Sequence, residues 1–193
     1  MKDVSPDSGA ELPQAKRGRP IPDSYWLIDG ALLAGEYPGS ADDDAARDKL
    51  TKFLDAGIRT FIDLTENTEP LTRYDGLLRS LSAERGIETK HVRIAIRDMS
   101  VPHERQLMTR ILDTISKEMP AGRPVYVHCW GGIGRTGTVV GCWLVESGMT
   151  GPDAIARIAA LRANTPDSVR RSPETEAQRR YICAWAAEGE RGA

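Results

Sequence analysis

His128-Cys129-Trp130-Gly131-Gly132-Ile133-Gly134-Arg135-Thr136-Gly137 is the stretch on which the reading of this chain turns. Pro124-Val125-Tyr126-Val127 precedes it, short, apolar and β-branched, and reads as a buried strand. The apolar run Thr138 to Glu146 follows it, closed by Gly148, and reads as a buried helix. A cysteine therefore stands where a strand passes into a helix, ahead of a glycine-rich loop and an arginine. Such a loop is suited to an anion. Its glycines let the N–H groups of Trp130 to Arg135 converge on one point, and the helix N-terminus adds its positive end. Arg135 can grip two oxygens of a phosphate with its planar fork. The same positive field favours Cys129 as a thiolate. The competing reading is a structural cysteine in a tight turn. The preceding His128, the loop glycines Gly131, Gly132 and Gly134, and the following Thr136-Gly137 together weigh against it.

Working outward, the 193 residues suit one domain with a sizeable core, expected over 23–187. A net charge of −2 gives no general pull toward nucleic acid or an anionic membrane. Three cysteines at unrelated spacings suggest a reducing compartment, and they form no zinc-type cluster with the three histidines. No metal and no cofactor is expected. Neither a secretory h-region nor a membrane-length apolar run is visible. The default expectation is a cytoplasmic monomer. Residues 1–22, with the basic cluster Lys16-Arg17-Gly18-Arg19, read as a disordered polar tail, and residues 188–193 as a frayed end.

The rest alternates strands with helices. Tyr25 to Ile28 and Ala31 to Ala34 flank Asp29-Gly30, an N-terminal β-hairpin signal. Ser40 is placed to cap a helix that carries Asp42, Asp43 and Asp44 in its first turn and ends at Gly57. Ile58 to Leu64 reads as a strand, Thr65 to Leu71 as a polar loop that could border the pocket, and Tyr74 to Arg85 as a helix. His91 to Ile96 reads as a strand with His91 on its surface, and Pro102 as the first turn of a helix running to Lys117. Thr150 to Arg162 and Ser172 to Ala186 read as the last helices. This order argues an α/β fold: a mostly parallel central sheet flanked by helices, with the phosphate-binding loop between the last central strand and a buried helix. Ligands of such sheets gather beyond the C-terminal ends of the strands, where both Asp98 and Cys129 fall.

The pattern His-Cys-(five residues)-Arg-Thr-Gly resembles the signature of the cysteine-based protein tyrosine phosphatase superfamily. The short chain is similar to its compact dual-specificity branch, which includes the kinase-associated phosphatases and bacterial relatives, from about Ser24 to Trp185. The resemblance implies a two-step phosphoryl transfer through a phosphocysteine, on phosphotyrosine first and also phosphoserine or phosphothreonine in proteins. Cys129 would be the nucleophile, and Arg135 with the loop Trp130, Gly131, Gly132, Ile133 and Gly134 would hold the phosphate oxygens. Asp98, in an Asp-x-x-x-Pro loop 31 residues before the cysteine (129 − 98), occupies the place of the general acid. Asp63, at another strand end, is the runner-up. Thr136 would hydrogen-bond the sulfur, and His128 would orient the loop. Gln178 resembles a glutamine that positions the hydrolytic water, although a solvent-facing helix residue is an equal reading. Arg73-Tyr74-Asp75 has only a coincidental likeness to a phosphotyrosine-gripping loop.

Three other functions compete. A phosphoinositide or inositol-phosphate phosphatase would favour lysines inside the loop, and this loop has none, although Arg170 and Arg171 could form a basic rim. A rhodanese-type sulfur transferase would need neither Asp98 nor the Gly-Arg-Thr-Gly run. A non-catalytic phosphate-binding module predicts loss of Cys129, Arg135 or the acid, and all three are present. The other cysteines, Cys142 and Cys183, fall in apolar helix faces and are expected to be buried and inert.

Overall fold

The computed structural model describes residues 18–189, so Lys16, Arg17, most of the N-terminal tail and the last residues of the C-terminal end lie outside the described residues. Five strands form one sheet in the order β1-β2-β5-β3-β4. They are β1 Ser24–Ile28, β2 Leu32–Gly35, β3 Thr60–Asp63, β4 Lys90–Arg93 and β5 Val125–His128. Only β1 runs antiparallel; β2, β5, β3 and β4 are parallel neighbours. The hairpin forms at Asp29-Gly30, where Gly30 takes a left-handed φ of 70°.

Strand alternation divides the core. Leu32, Ala34, Ile62, Val125 and Val127 face one side and pack with α3 (Arg105–Glu118), α4 (Gly134–Glu146), α5 (Gly151–Arg162) and α6 (Glu176–Gly189). Their neighbours Leu33, Phe61 and Tyr126 face the other side, against α1 (Asp43–Asp55) and α2 (Asp75–Glu84). With helices on both faces the parallel strands β2, β3 and β5 are buried, while the edge strand β4 is half-buried. All four parallel strands deliver their C-terminal ends to the same edge, and that edge carries the site.

Several boundaries move. Asp42, not Ser40, caps α1: its carboxylate accepts from Ala45 N at 2.8 Å and adds charge at the positive end of the helix, while Ser40 Oγ accepts from Asp42 N in the turn before. Helix α3 begins at Arg105 because Glu104 is fully extended (φ −142°, ψ 151°), so Pro102 precedes the helix rather than heading it. Regular pairing in β4 stops at Arg93, yet Ile94 N and Ile96 N still donate to Asp63 O and Leu64 O, carrying the chain along β3 toward Asp98. Packing starts upstream of residue 23: Ile21 is buried and Gly18 O accepts from the Trp26 indole. Cys142 is buried as expected, but Cys183 is exposed. The buried face of α6 is set by Ile182 and Trp185, and Cys183 lies about 100° round the helix from Ile182.

Candidate active site

Cys129 directly follows β5 and is almost fully buried at a cavity of about 400 Å³. The loop after it is fixed by close approach. Gly132 has φ 68°, and a Cβ there would fall 2.3 Å from Gly35 C and 2.6 Å from Glu36 N, so only glycine fits. Tyr37 N donates to Trp130 O at 2.8 Å, and Ser172 Oγ donates to Ile133 O at 2.7 Å. Helix α4 then starts at Gly134 without a side-chain cap, which leaves its first N–H groups as donors for an anion.

Arg135, in the first turn of α4, is buried. Its guanidinium is held on several sides. Glu69 takes it bidentately, with Nη1 at 2.5 Å and Nη2 at 3.0 Å, and Nη1 also reaches Ile96 O at 3.2 Å. Nη2 pairs with Asp98 Oδ1 at 2.9 Å. Nε is buried and has no partner among the described residues. Burial raises the Glu69 pKa, but the Arg135 bond and the Glu66 backbone bond outweigh it and hold the carboxyl below its ordinary range. Glu66 adds a second brace, its Oε2 accepting from Asp98 N at 3.2 Å. The loop after β3 thus positions both the arginine and the aspartate. The sequence suggested only that this loop borders the pocket; Glu66 and Glu69 were missed because their partners lie 32 and 66 residues away.

The two candidate acids separate cleanly. The Asp98 side chain is 57% exposed and lines the cavity with Cys129 and Arg135. Asp63 is fully buried, with Arg93 at 2.7 and 3.0 Å, Thr65 Oγ1 at 2.6 Å, Thr65 N at 2.9 Å and His91 Nε2 at 3.2 Å. Burial pushes its carboxyl up, and the His91 and Thr65 bonds outweigh that and bring it far below the usual range. With its oxygens already bonded and no water access, Asp63 is a structural anchor. His91 belongs to that anchor rather than to an open strand surface.

His128 is fully buried, and its pKa is brought down to about 4, chiefly by that burial. Its Nδ1 lies 3.2 Å from Cys129 O, which can only accept, so Nδ1 carries the proton. Nε2 then accepts from Tyr74 O–H at 2.6 Å. The neutral ring links Cys129 O at the start of the loop to Tyr74, the N-cap residue of α2. Tyr74 was read as the start of a helix and, within Arg73-Tyr74-Asp75, as part of a coincidental likeness; its bond to His128 was not foreseen.

Gln178 is buried, which removes the solvent-facing reading. Its Oε1 accepts from Glu174 N and Thr175 N at 3.1 and 3.0 Å, and its Nε2 donates to Ser100 O at 3.0 Å. A Cβ on Gly134 would stand 3.0 Å from Nε2, so the amide bridges the acid loop, the start of α6 and the anion loop. Thr136 departs from expectation: its Oγ1 is buried with no hydrogen-bond partner among the described residues, so the bond to sulfur is not made. It is the third residue of α4 and is fully buried. Arg170 does line the cavity, paired to Glu174 at 2.7 Å and Asp167 at 3.4 Å. Among the described residues no group of three or more His, Cys, Asp or Glu is placed to hold a metal, and no helix is long and apolar enough to cross a membrane.

The model of one family, described as "Polymorphic toxin system, DSP-PTPase phosphatase", matches residues 36–149, more than half of the chain. The chain belongs to that family. It is 25% identical over 124 residues to the putative tyrosine phosphatase 067L of Invertebrate iridescent virus 3, covering 63% of this chain and 45% of the viral protein. It is 29% identical over 140 residues to the phosphatidylglycerophosphate phosphatase PTPMT2 of Arabidopsis thaliana, covering 72% of this chain and 55% of the plant protein. The chain thus spans about half the length of these curated relatives. A solved structure of PTPMT1 in complex with PI(5)P superimposes with a TM-score of 0.64 at 24% identity, over 88% of this chain and 99% of that one, a likeness of fold. Membership of the compact dual-specificity branch therefore agrees with the resemblance carried by the loop.

Proposed function

We propose that this DSP-PTPase family member hydrolyses phosphate monoesters through a phosphocysteine on Cys129. One observation carries the reading: Cys129, Arg135 and Asp98 line a single open cavity, with Asp98 2.9 Å from the Arg135 guanidinium. In the first step the Cys129 thiolate attacks phosphorus and the P–O ester bond breaks. Arg135 and the loop N–H groups hold the equatorial oxygens, and Asp98 gives its proton to the departing oxygen. In the second step water attacks phosphorus, Asp98 takes its proton, and the S–P bond breaks to release inorganic phosphate. The Arg135 Nε donor and Nη2, which Asp98 engages here, are the groups a phosphate would meet. A phosphate there takes the place of Asp98 on Nη2 and leaves the carboxyl free to face the leaving group. Gln178 acts as a positioning residue that holds the acid loop against the anion loop.

Phosphotyrosine in proteins is the preferred substrate in this reading, with phosphoserine and phosphothreonine second. A lipid or inositol phosphate is the other reading, favoured by the likeness to PTPMT2 and PTPMT1. Charge on the rim speaks for the first: Glu36 and Glu174 line the cavity, and Arg170, its rim cation, is already paired. A polyanionic head group would meet both carboxylates. Turnover compared across phosphotyrosine peptides, phosphoserine peptides, phosphoinositides and phosphatidylglycerophosphate tests this. The expected order places the phosphotyrosine peptides first; fastest turnover of either lipid reverses it.

A further inference from the structure

In the second step the attacking water must aim a lone pair at phosphorus, and acceptors for both of its hydrogens fix that aim. Asp98 is one acceptor. Gln178, whose place in the sequence resembles that of a water-holding glutamine, is already spent. Its Oε1 accepts from Glu174 N and Thr175 N at 3.1 and 3.0 Å, and its Nε2 donates to Ser100 O at 3.0 Å. It is fully buried and off the cavity lining, whereas Glu174 is on that lining. We propose that Glu174 is a catalytic residue of the second step, its Oε2 accepting one hydrogen of the hydrolytic water while Asp98 takes the other as a proton. The proposal rests on the phosphatase reading above and deepens it.

Position is the first argument. Gly134 opens α4, and a Cβ there would stand 3.4 Å from Glu174 Oε2 and 3.0 Å from Gln178 Nε2. Both side chains therefore meet the first residue of the helix that holds the anion, Gln178 from inside the protein and Glu174 from the cavity. Arg170 Nη2 pairs with Glu174 Oε1 at 2.7 Å, so the carboxyl is fixed by one oxygen and Oε2 stands outside that pair. Gln178 steadies the same residue from behind by accepting from its N–H. Glu36 also lines the cavity, but its Oε1 pairs with Lys49 at 2.6 Å and its backbone N lies against Gly132, away from the start of α4.

Chemistry is the second argument. A carboxylate at the rim of an anion site repels the anion, and the Arg170 pair offsets that repulsion. The use of the carboxylate comes once the leaving group has gone. Water enters the vacated space, in line with the S–P bond. Its oxygen bonds to phosphorus, the S–P bonding pair returns to Cys129 as thiolate, and one proton passes to the ionised Asp98. The other hydrogen stays on the oxygen, held by Glu174 Oε2, and leaves with the phosphate. The first step has no water to hold, so Glu174 acts only in the second.

Turnover of p-nitrophenyl phosphate separates the two steps. There kcat/KM reports events up to loss of nitrophenol, and kcat, with so good a leaving group, reports hydrolysis of the phosphocysteine. Glu174→Ala is expected to lower kcat about tenfold and to keep kcat/KM within about twofold. The fraction of chains phosphorylated on Cys129 at steady state, read by rapid quenching and intact mass, should rise. Glu174→Gln should behave alike, because Arg170 claims the amide oxygen and leaves an NH2 donor facing the water. Inorganic phosphate inhibition, kept or strengthened, shows that the anion loop is intact in both. An unchanged kcat, or equal falls in kcat and kcat/KM with phosphate inhibition intact, overturns the role of Glu174 alone. So does a loss confined to kcat in Glu36→Gln in place of Glu174→Ala. No turnover of any monoester by the unaltered protein overturns the phosphatase reading and the role of Glu174 with it.

Discussion

Two aspartates end up on the same edge of the sheet, and their fates differ. Asp63 closes β3 and Asp98 follows β4, its immediate neighbour. Asp63 has a side chain with no exposure and is bonded by Arg93, His91 and Thr65. Asp98 has a side chain 57% exposed, one cationic partner, and a backbone held by Glu66. A carboxylate whose lone pairs are all spent inside the protein has no free oxygen to trade a proton with. One at a cavity wall, held through its backbone and by a single ion pair on one oxygen, keeps that freedom. The difference lies in what holds each residue, not in which strand it ends.

Substitution can break the comparison. Asp98→Ala should lower kcat on a phosphopeptide by about 10²–10⁴-fold and leave thermal stability nearly unchanged. The loss should be smaller on p-nitrophenyl phosphate, whose leaving group needs less protonation. Asp63→Asn should do the reverse. Removing one charge of a buried pair costs about 3–5 kcal/mol, or roughly 6–20 °C in Tm for a chain of this size, while the folded fraction retains its pH profile. If Asp63→Asn instead abolished the pH profile of a folded enzyme, the roles would be exchanged. Glu69→Gln falls between them. It leaves the Arg135 fork without its bidentate anchor and should weaken inorganic phosphate inhibition by about 10–100-fold, the scale of charge-assisted hydrogen bonds of about 1.5–3 kcal/mol.

The smallest effect concerns His128 and pH. Burial lowers its pKa from 6.5 to about 4, so between these values the unfolded chain binds more protons than the folded one. Stability should be full above about pH 6.5 and fall as pH drops toward 4, by at most about 1.4 kcal/mol per unit. Tm measured from pH 7 to 5 should decline in the unaltered protein and less so in His128→Asn. Equal slopes would place the acid sensitivity elsewhere.

The anion loop was legible because its own parts are contiguous, although the contacts that hold it, from Gly35, Tyr37 and Ser172, are not. The strand, the cysteine, the glycines, the arginine and the helix occupy one run of residues, and only local rules are needed to read them. The sheet and its helices were legible for the same reason, apart from shifts such as the Asp42 cap. The acid loop was half legible. Asp98 was singled out by its place after a strand and by its Asp-x-x-x-Pro loop, which resembles the family's acid loop, but its supports were not, because Glu66, Gln178 and Arg135 come from three other segments. Glu69 shows the limit most clearly: nothing near it in sequence distinguishes it from a solvated loop carboxylate. Cys183 shows a smaller one, since a helix face read from apolar composition misplaces a residue one step round from Ile182.

The central claim is a covalent phosphoryl group on Cys129, and the Asp98→Ala variant offers the most direct view of it. With p-nitrophenyl phosphate the first step needs little acid, while hydrolysis of the intermediate still needs the missing carboxylate, so the intermediate should accumulate. Rapid quenching followed by intact-mass measurement and peptide mapping should find one phosphoryl group per chain, on the peptide containing Cys129, and none after further substitution of Cys129→Ser. A phosphoryl group on another residue, or turnover by Cys129→Ser above a few per cent of the unaltered rate where a loss of roughly 10³-fold or more is expected, would contradict the account.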